Sequence, residues 1–307
     1  MDVVSLKIFR TVAEEGGVTR AAEKLHYVQS NVTARIKQLE DELGVALFYR
    51  RNRRMQITPA GEVLLQYADR IIRMTDEARA AVTDTGTPRG SLTLGTMETT
   101  AASRLPKVLP QYHARFPDVE LNLETGTTRE LMGAVLAKKL PAALVAAPLS
   151  HPDLTQEVVF DEELVLITSP VYGALPNSAQ MSETAVLVFR QGCMYRSYLE
   201  RWLDHIGASP RRSMDFGSFD AIMGCVAAGM GISMMPLSLV KQHRLRDSIC
   251  VHHLPATFSR APTLLIYRND VVMTAAMRAF RELLLDQVGK PFEQMDAGQI
   301  VLPALLP

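Results

Sequence analysis

Scarce cysteine, a single tryptophan and the want of any long apolar run exclude several classes of protein at once. The three cysteines, Cys193, Cys225 and Cys250, form no CxxC pair, so neither a disulfide framework nor a zinc site has ligands at workable spacing. They are read as reduced thiols. No stretch of about 18 apolar residues is available to span a membrane, and the opening MDVVSLKIFRTVAEEGG lacks the basic-then-apolar order of a secretory signal. The expected location is the cytoplasm, with no membrane partner. An excess of either charge is also missing: 33 basic residues face 33 acidic ones, so any contact with nucleic acid must come from a local patch. The chain has no P-loop, nucleophile elbow or HExxH. Gly229-Met230-Gly231 is a lone GxG that reads as a helix C-cap, and His252-His253 has no Cys or carboxylate at metal spacing. No enzyme activity, cofactor or metal is therefore expected.

What is present is an ordinary globular composition, 47% hydrophobic over 307 residues, enough for about two domains. The first sixty residues form a small helical module. Leu6, Phe9, Val12 and Ala13 share one helical face that stops at Gly16-Gly17. A second helix is expected from Thr19, its N-cap, with Ala21, Ala22 and Leu25 inward. The stretch LHYVQSNVTARIKQLE then keeps Val32, Ile36 and Leu39 at core spacing and leaves Gln29, Ser30, Thr33, Arg35 and Lys37 for other faces. After Gly44, LFYRRNRRMQIT reads as two short strands around a run of arginines. Helix, helix, turn, helix and basic hairpin make a winged helix-turn-helix. The DNA major groove admits one helix, and amide, hydroxyl and guanidinium groups suit its base edges. The arginines Arg51, Arg53 and Arg54 suit phosphates or a narrow minor groove, and Arg20 on the second helix joins these DNA-binding candidates.

From Gly61 no helix breaker occurs until Gly86-Thr87-Pro88, so one long helix is expected. Leu64, Ala68, Ile71, Thr75, Ala78 and Val82 alternate spacings of four and three along it, a coiled-coil seam. From Gly90 strands alternate with helices. SLTLG, DVELNLETG and AALVAAP read as strands, METTAAS as a loop after the first of them, and EELVLITS, VLVFRQG, ISMMP and APTLLIYR as later strands. The tail PFEQMDAGQIVLPALLP has no assignment.

The first sixty residues resemble the DNA-binding end of LysR-type transcriptional regulators. The landmarks are Ala21-Ala22, Leu25, Gln29, Ile36, Leu39-Glu40, Leu43-Gly44, Leu47-Phe48, Arg50 and Thr58-Pro59-Ala60-Gly61. The resemblance implies that Gln29 and Thr33 face bases and that Arg53 reaches the minor groove or backbone. Where the family has Ser-Gln-Pro, this chain has Val28-Gln29-Ser30, and the usual Gly-x-Leu-Asp is Lys138-Lys139-Leu140-Pro141. It further implies that the long helix pairs two subunits, giving a homodimer and then a homotetramer, and that the remainder is a two-lobed α/β effector-binding domain resembling periplasmic solute-binding proteins. The expected divisions are 1–60 for the winged helix-turn-helix, 61–88 for the linker helix and 89–307 for the effector domain. Within the last, lobe I takes about 89–160 and 262–300 and lobe II about 161–261, with crossings near Asp161 and Pro262.

A cleft between such lobes collects strand ends and helix starts. Thr99, Thr100, Thr127 and Thr128 from one lobe and Gln191, Cys193 and Ser218 from the other are the candidate effector contacts. Hydroxyls at helix N-termini point to a small, polar, anionic effector. The resulting expectation is a sequence-specific regulator of double-stranded DNA controlled by that effector, with RNA polymerase as a further partner. The competing reading is a cytoplasmic solute-binding or enzymatic α/β protein whose N-terminal module only mediates assembly.

Overall fold

Asp2 begins the first helix by accepting a hydrogen bond from the Ser5 backbone N–H at 2.7 Å, and the first three helices each end at a residue in the left-handed conformation, Gly16, His26 and Gly44. The computed structural model describes residues 1–51, 54–82 and 86–286 and divides into two units, Met1–Thr85 and Gly86–Pro307. In the first unit α1 (Val3–Glu15) ends at Gly16, whose φ of 63° glycine adopts without a side-chain clash. The next helix, α2 (Val18–Leu25), starts one residue before the expected cap: Gly17 is its N-cap and Thr19 lies inside it. Recognition-helix candidate α3 (Gln29–Leu43) follows, with Val28 as an N-cap that supplies no side-chain hydrogen bond. Leu6, Phe9, Val12, Ala21, Val32, Ile36 and Leu39 are buried together as the core of the three.

A hairpin of β1 (Phe48–Arg51) and β2 (Arg54–Ile57) closes against this core, with Phe48 opposite Ile57. The Phe48 ring lies 5.3 Å from Phe9, and one carboxylate oxygen of Glu40 accepts from the N–H groups of Leu47 and Phe48 at 2.8 and 3.2 Å. Thr58 then starts α4 (Pro59–Val82): its hydroxyl accepts from Gly61 N–H at 3.0 Å and donates to the Ala46 carbonyl at 2.8 Å. Ala68 and Ile72 of α4 are 0% and 2% exposed in the core beneath α1. The long helix is thus packed as the fourth helix of the first unit.

The second unit begins with β3 (Gly90–Thr96), α5 (Glu98–Ser103), α6 (Leu105–Arg115), β4 (Val119–Thr125), α7 (Thr128–Leu136), β5 (Ala142–Ala146) and β6 (Leu154–Phe160). METTAAS is therefore the helix α5 and not a loop, since nothing in it breaks a helix. The chain continues through β7 (Leu164–Thr168), α8 (Ser178–Glu183), β8 (Ala185–Phe189), α9 (Met194–His205), β9 (Arg212–Phe216), α10 (Phe219–Ala227), β10 (Ser233–Pro236), α11 (Leu237–Gln242), β11 (Cys250–His253) and α12 (Ala256–Ser259), and closes with β12 (Thr263–Arg268) and α13 (Ala275–Asp286).

Two groups of strands result. One sheet has the order β4-β3-β5-β12-β6, parallel between β3 and its neighbours and antiparallel on both sides of β12. The other lobe holds the antiparallel β10-β7-β11 and the parallel β8-β9, joined by a bridge between Val186 and Ile232. The two crossings, at residues 161–163 and 260–262, lie side by side: Ala261 N–H donates to the Glu162 carbonyl at 2.9 Å, and Glu163 forms an antiparallel bridge with Arg260. Lys138 holds φ at 57° where the family pattern has glycine, and its ammonium pairs with Asp270 at 3.1 Å. The unassigned tail and the part of lobe I expected beyond residue 286 lie outside the described residues.

Gly61 shows why the Thr-Pro-Ala-Gly turn needs its last residue. A Cβ there would stand 2.4 Å from the Leu47 carbonyl oxygen, which is backbone and cannot swing away. Gly61→Ala is expected to destabilise the first unit by about 1–3 kcal/mol through overpacking. The check is the midpoint of its thermal unfolding followed by circular dichroism; an unchanged midpoint would show that the wing yields freely.

Candidate functional site

Two separate surfaces carry the chemistry, one in each unit. On α3 the buried residues Val32, Ile36 and Leu39 fix the inner face, and about 100° per residue places the others around it. Ser30, Thr33 and Lys37 fall on one flank, are exposed, and continue from the exposed Gln29. The Thr33 hydroxyl donates to the Gln29 carbonyl at 3.0 Å, so outward it acts as an acceptor. Arg35 is placed differently from these. It lies on the other flank of the core, and its guanidinium pairs with Asp2 at 3.3 Å. Arg20 is exposed on α2. Arg51 and Arg54 occupy the facing ends of β1 and β2, paired with one another in register, and Arg53 lies outside the described residues.

Val28, which stands where the family pattern has serine, opens α3 without a side-chain cap. It is 68% exposed and Tyr27 43% exposed, immediately before the first turn of α3. Ser, Thr, Asp or Asn at an N-cap typically contributes about 1 kcal/mol, so an apolar residue there forgoes local stability.

Helix α4 buries part of the face expected to form a seam. Ala68 is fully buried within its own unit, and Leu64 and Ile71 are partly buried against the same core. Thr75 donates its hydroxyl to the Ile71 carbonyl at 2.9 Å. The large apolar side chains that remain outside are Val63, Tyr67, Met74 and Val82, exposed by 57%, 55%, 68% and 87%. With the exposed Ala78 they form a stripe displaced around the helix from the expected one. Of the six expected seam residues, Ala78 and Val82 are exposed, whereas Leu64, Ala68 and Ile71 face inward.

In the second unit a cleft of about 280 Å³ opens between the lobes. Of the expected contacts, Thr99, Thr127, Thr128 and Cys193 line it; Thr100, Gln191 and Ser218 do not. Thr100 is buried in α5, Gln191 is exposed beside the cleft, and Ser218 is the N-cap of α10. Glu98, Arg190, Tyr195, Met97, Phe189 and Phe216 line it without having been expected. A larger groove, about 470 Å³, runs along Tyr112, His113 and the outer edge of β4, distant from these groups in the fold.

The threonines differ in what they are free to do. Thr127 is occupied as a helix cap, donating to Glu130 Oε2 at 2.9 Å and accepting from Glu130 N–H at 3.3 Å, while Glu130 Oε2 also takes the Thr127 N–H at 2.8 Å. That carboxylate is held below its usual range by those hydrogen bonds, the backbone one first. Thr128 accepts from Ala146 N–H at 3.4 Å and is buried. Of these candidates, Thr99 has a buried hydroxyl without a partner in good hydrogen-bond geometry, with the Tyr195 hydroxyl close enough to act on it. Burial raises the Tyr195 phenol far above its ordinary value, so it stays protonated and can donate. Burial, and then the negative charge of Asp220, raise the Glu98 carboxyl, an effect opposed by Arg190.

Across the cleft the lobes touch where Arg129 N–H meets the Gly192 carbonyl at 3.4 Å. Gly192 has φ of +91°, and a Cβ there would stand 3.1 Å from Thr127 Oγ1 and from Arg129 Cβ. Glycine is thus required twice over at this closure point.

The comparisons agree with this division. A family model described as "Bacterial regulatory helix-turn-helix protein, lysR family" matches residues 4–62, and one described as "LysR substrate binding domain" matches residues 85–289. The HTH-type transcriptional regulator GltR of Bacillus subtilis is 41% identical over 95% of this chain and 99% of its own length. The regulator CzcR of Bacillus anthracis is 41% identical over 91% of this chain and 96% of its own. Among solved structures, full-length CbnR complexed with its target DNA gives a TM-score of 0.69 at 24% identity, covering 92% of this chain and 99% of that one. A full-length OxyR variant from Pseudomonas aeruginosa gives 0.65 at 24%, covering 93% and 94%. At these identities the solved structures speak for the fold alone.

Cys193 is half-buried in the cleft wall and burial pushes its thiol up, so less thiolate is available at any given pH. Peptide-resolved alkylation with iodoacetamide at pH 8 should label Cys193 more slowly in the folded protein than in urea; equal rates would make it a reactive thiol. No helix among the described residues is long and apolar enough to cross a membrane. With both family models matched, one to each unit, the chain belongs to the LysR family of DNA-binding transcriptional regulators, which are not enzymes, and carries that family's helix-turn-helix and effector-binding domains.

Proposed function

We propose that two copies of this chain, joined through the outer stripe of α4, set two α3 helices into successive major grooves, and that a small molecule held between the lobes adjusts the fit. The observation carrying the DNA half is the exposed polar flank of Gln29, Ser30, Thr33 and Lys37 beside the wing. Gln29 offers an amide that matches the N6 and N7 edge of adenine, and Thr33 an acceptor. Val28 presents apolar surface of the kind that meets a thymine methyl. The arginines of the wing, Arg51, Arg53 and Arg54, supply backbone charge and register. RNA polymerase contact, pairing of dimers into tetramers and a cytoplasmic location belong to the same reading.

The DNA half is tested by footprinting and gel shift on the DNA flanking the chain's own gene. Gln29→Ala should lose about 1–3 kcal/mol of discrimination at one base pair of each half-site. Replacing thymine by deoxyuridine at the contacted position should weaken the parent, and Val28→Ala should remove that difference. Equal affinity for matched and scrambled DNA in the parent would sink the whole assignment.

The dimer half rests on the unpartnered apolar stripe. Two-fold pairing along α4 would cover Tyr67 and Met74, and would present two reading helices about one turn of duplex apart, roughly 34 Å. Tyr67→Asp places a charge in that contact, where an unpaired carboxylate is costly. Light scattering should then show a smaller assembly with unit 1 still folded by circular dichroism. An unchanged mass would exclude this face.

A further inference from the structure

The cleft has one charged side chain on each wall, and neither is neutralised by a close partner. Glu98 opens α5 in one lobe and Arg190 follows β8 in the other; both line the cavity. Neither has a salt bridge among the described residues, although Arg190 is near enough for its charge to act on Glu98. The Thr99 hydroxyl is buried in the same lining; the Tyr195 hydroxyl lies close to it but not in good hydrogen-bond geometry, so bonding capacity there is open to a ligand.

These groups select among ligand charges. A simple anion satisfies Arg190 but leaves its own charge facing Glu98, with Asp220 adding to the repulsion. It also finds the N-terminus of α7 already filled, because Glu130 accepts the Thr127 N–H and hydroxyl there. A simple cation suits Glu98 and is repelled by Arg190. A molecule with both charges a few bonds apart satisfies both walls. Beside the hydroxyls of Thr125, Thr127, Thr128 and Tyr195, the lining carries an apolar part from Met97, Phe189 and Phe216, and the volume of about 280 Å³ is below the common range for drug-sized ligands, about 300–1,000 Å³.

Resting on the reading that this cleft holds the effector, we infer that the effector is a zwitterion, an α-amino acid with an uncharged side chain. Its carboxylate meets the Arg190 fork, its ammonium meets Glu98, and its side chain lies against Met97 and the two phenylalanines. Thr99 completes the polar set by bonding to the ligand's carboxylate or ammonium. This narrows the anionic effector expected from the threonines alone.

The test uses the full-length protein and three matched sets of probes: the uncharged L-amino acids, the corresponding 2-hydroxy acids, which lack the ammonium, and the corresponding amines, which lack the carboxylate. Affinity is read by isothermal titration and by thermal shift. At least one amino acid should bind, with its hydroxy acid and its amine each at least tenfold weaker. Arg190→Ala and Glu98→Gln should each weaken the amino acid by a similar factor, and Glu98→Gln should leave the hydroxy acid's affinity unchanged or improved. Thr99→Val should weaken the amino acid, whereas Thr100→Val should not. A hydroxy acid that binds as tightly as its amino acid, in a manner abolished by Arg190→Ala, would overturn the zwitterion and keep the cleft. An amino acid whose affinity ignores both Arg190→Ala and Glu98→Gln would place the site elsewhere and overturn both readings. If no uncharged amino acid binds, the proposed ligand class is wrong.

Discussion

The geometry of the effector domain depends on one carboxylate. Glu162 stands on the first crossing between lobes, is 3% exposed, and is ion-paired with Arg104 while accepting from the Ser238 hydroxyl at 2.8 Å. Arg104 belongs to the first lobe, at the junction of α5 and α6, and Ser238 to the second, at the start of α11. Arg104 also donates to the Asp161 carbonyl at 2.9 Å and lies 5.6 Å over the Phe160 ring. A buried charge is tolerated only when its partners are in place, so the two lobes meet where Glu162 can satisfy both. Helix α5, and with it Glu98 and Thr99, is oriented by that requirement.

The opposite end of the same gap is held more lightly. There the lobes meet through a backbone hydrogen bond and the space saved by a glycine at position 192. A firm ionic clamp at the crossings and a thin contact at the mouth are a suitable division of labour for a domain that must admit a small molecule. A ligand can change the mouth by its affinity difference between two lobe arrangements without disturbing the clamp.

Much of this was legible in the sequence because it rests on periodicity. Val32, Ile36 and Leu39 announced the inner face of α3, and the alternation of strands and helices announced the α/β lobes. What escaped was decided by contacts between distant segments. That Arg35 pairs with Asp2, thirty-three positions earlier, could not be read from the spacing of α3. Helix α4 carries two apolar stripes, and spacing alone does not say which one α1 will cover. Among the threonines, hydroxyl chemistry marked four candidates; packing made Thr127 a cap, tied Thr128 to the Ala146 N–H, drew Thr100 into α5 away from the cleft, and left Thr99 beside Tyr195 without a well-aligned bond. Glu98 and Arg190 stood directly beside chosen residues and were passed over because helix starts were searched for hydroxyls and not for opposed charges.

The strand order also has a consequence for synthesis. The first unit closes with Ile72 under α1, so all of its contacts lie within the first quarter of the chain. The larger sheet is incomplete until β12 arrives to pair with β5 and β6, more than a hundred residues after either was made. Local contacts form quickly and long-range strand pairing is slow, and domains fold as units during synthesis from the N-terminus. A chain cut short between α4 and β12 would therefore carry a finished helix-turn-helix unit and an effector domain unable to close. Such fragments would keep the folded helix-turn-helix unit while lacking the closed second unit, so loss of β12 separates the two units' folding.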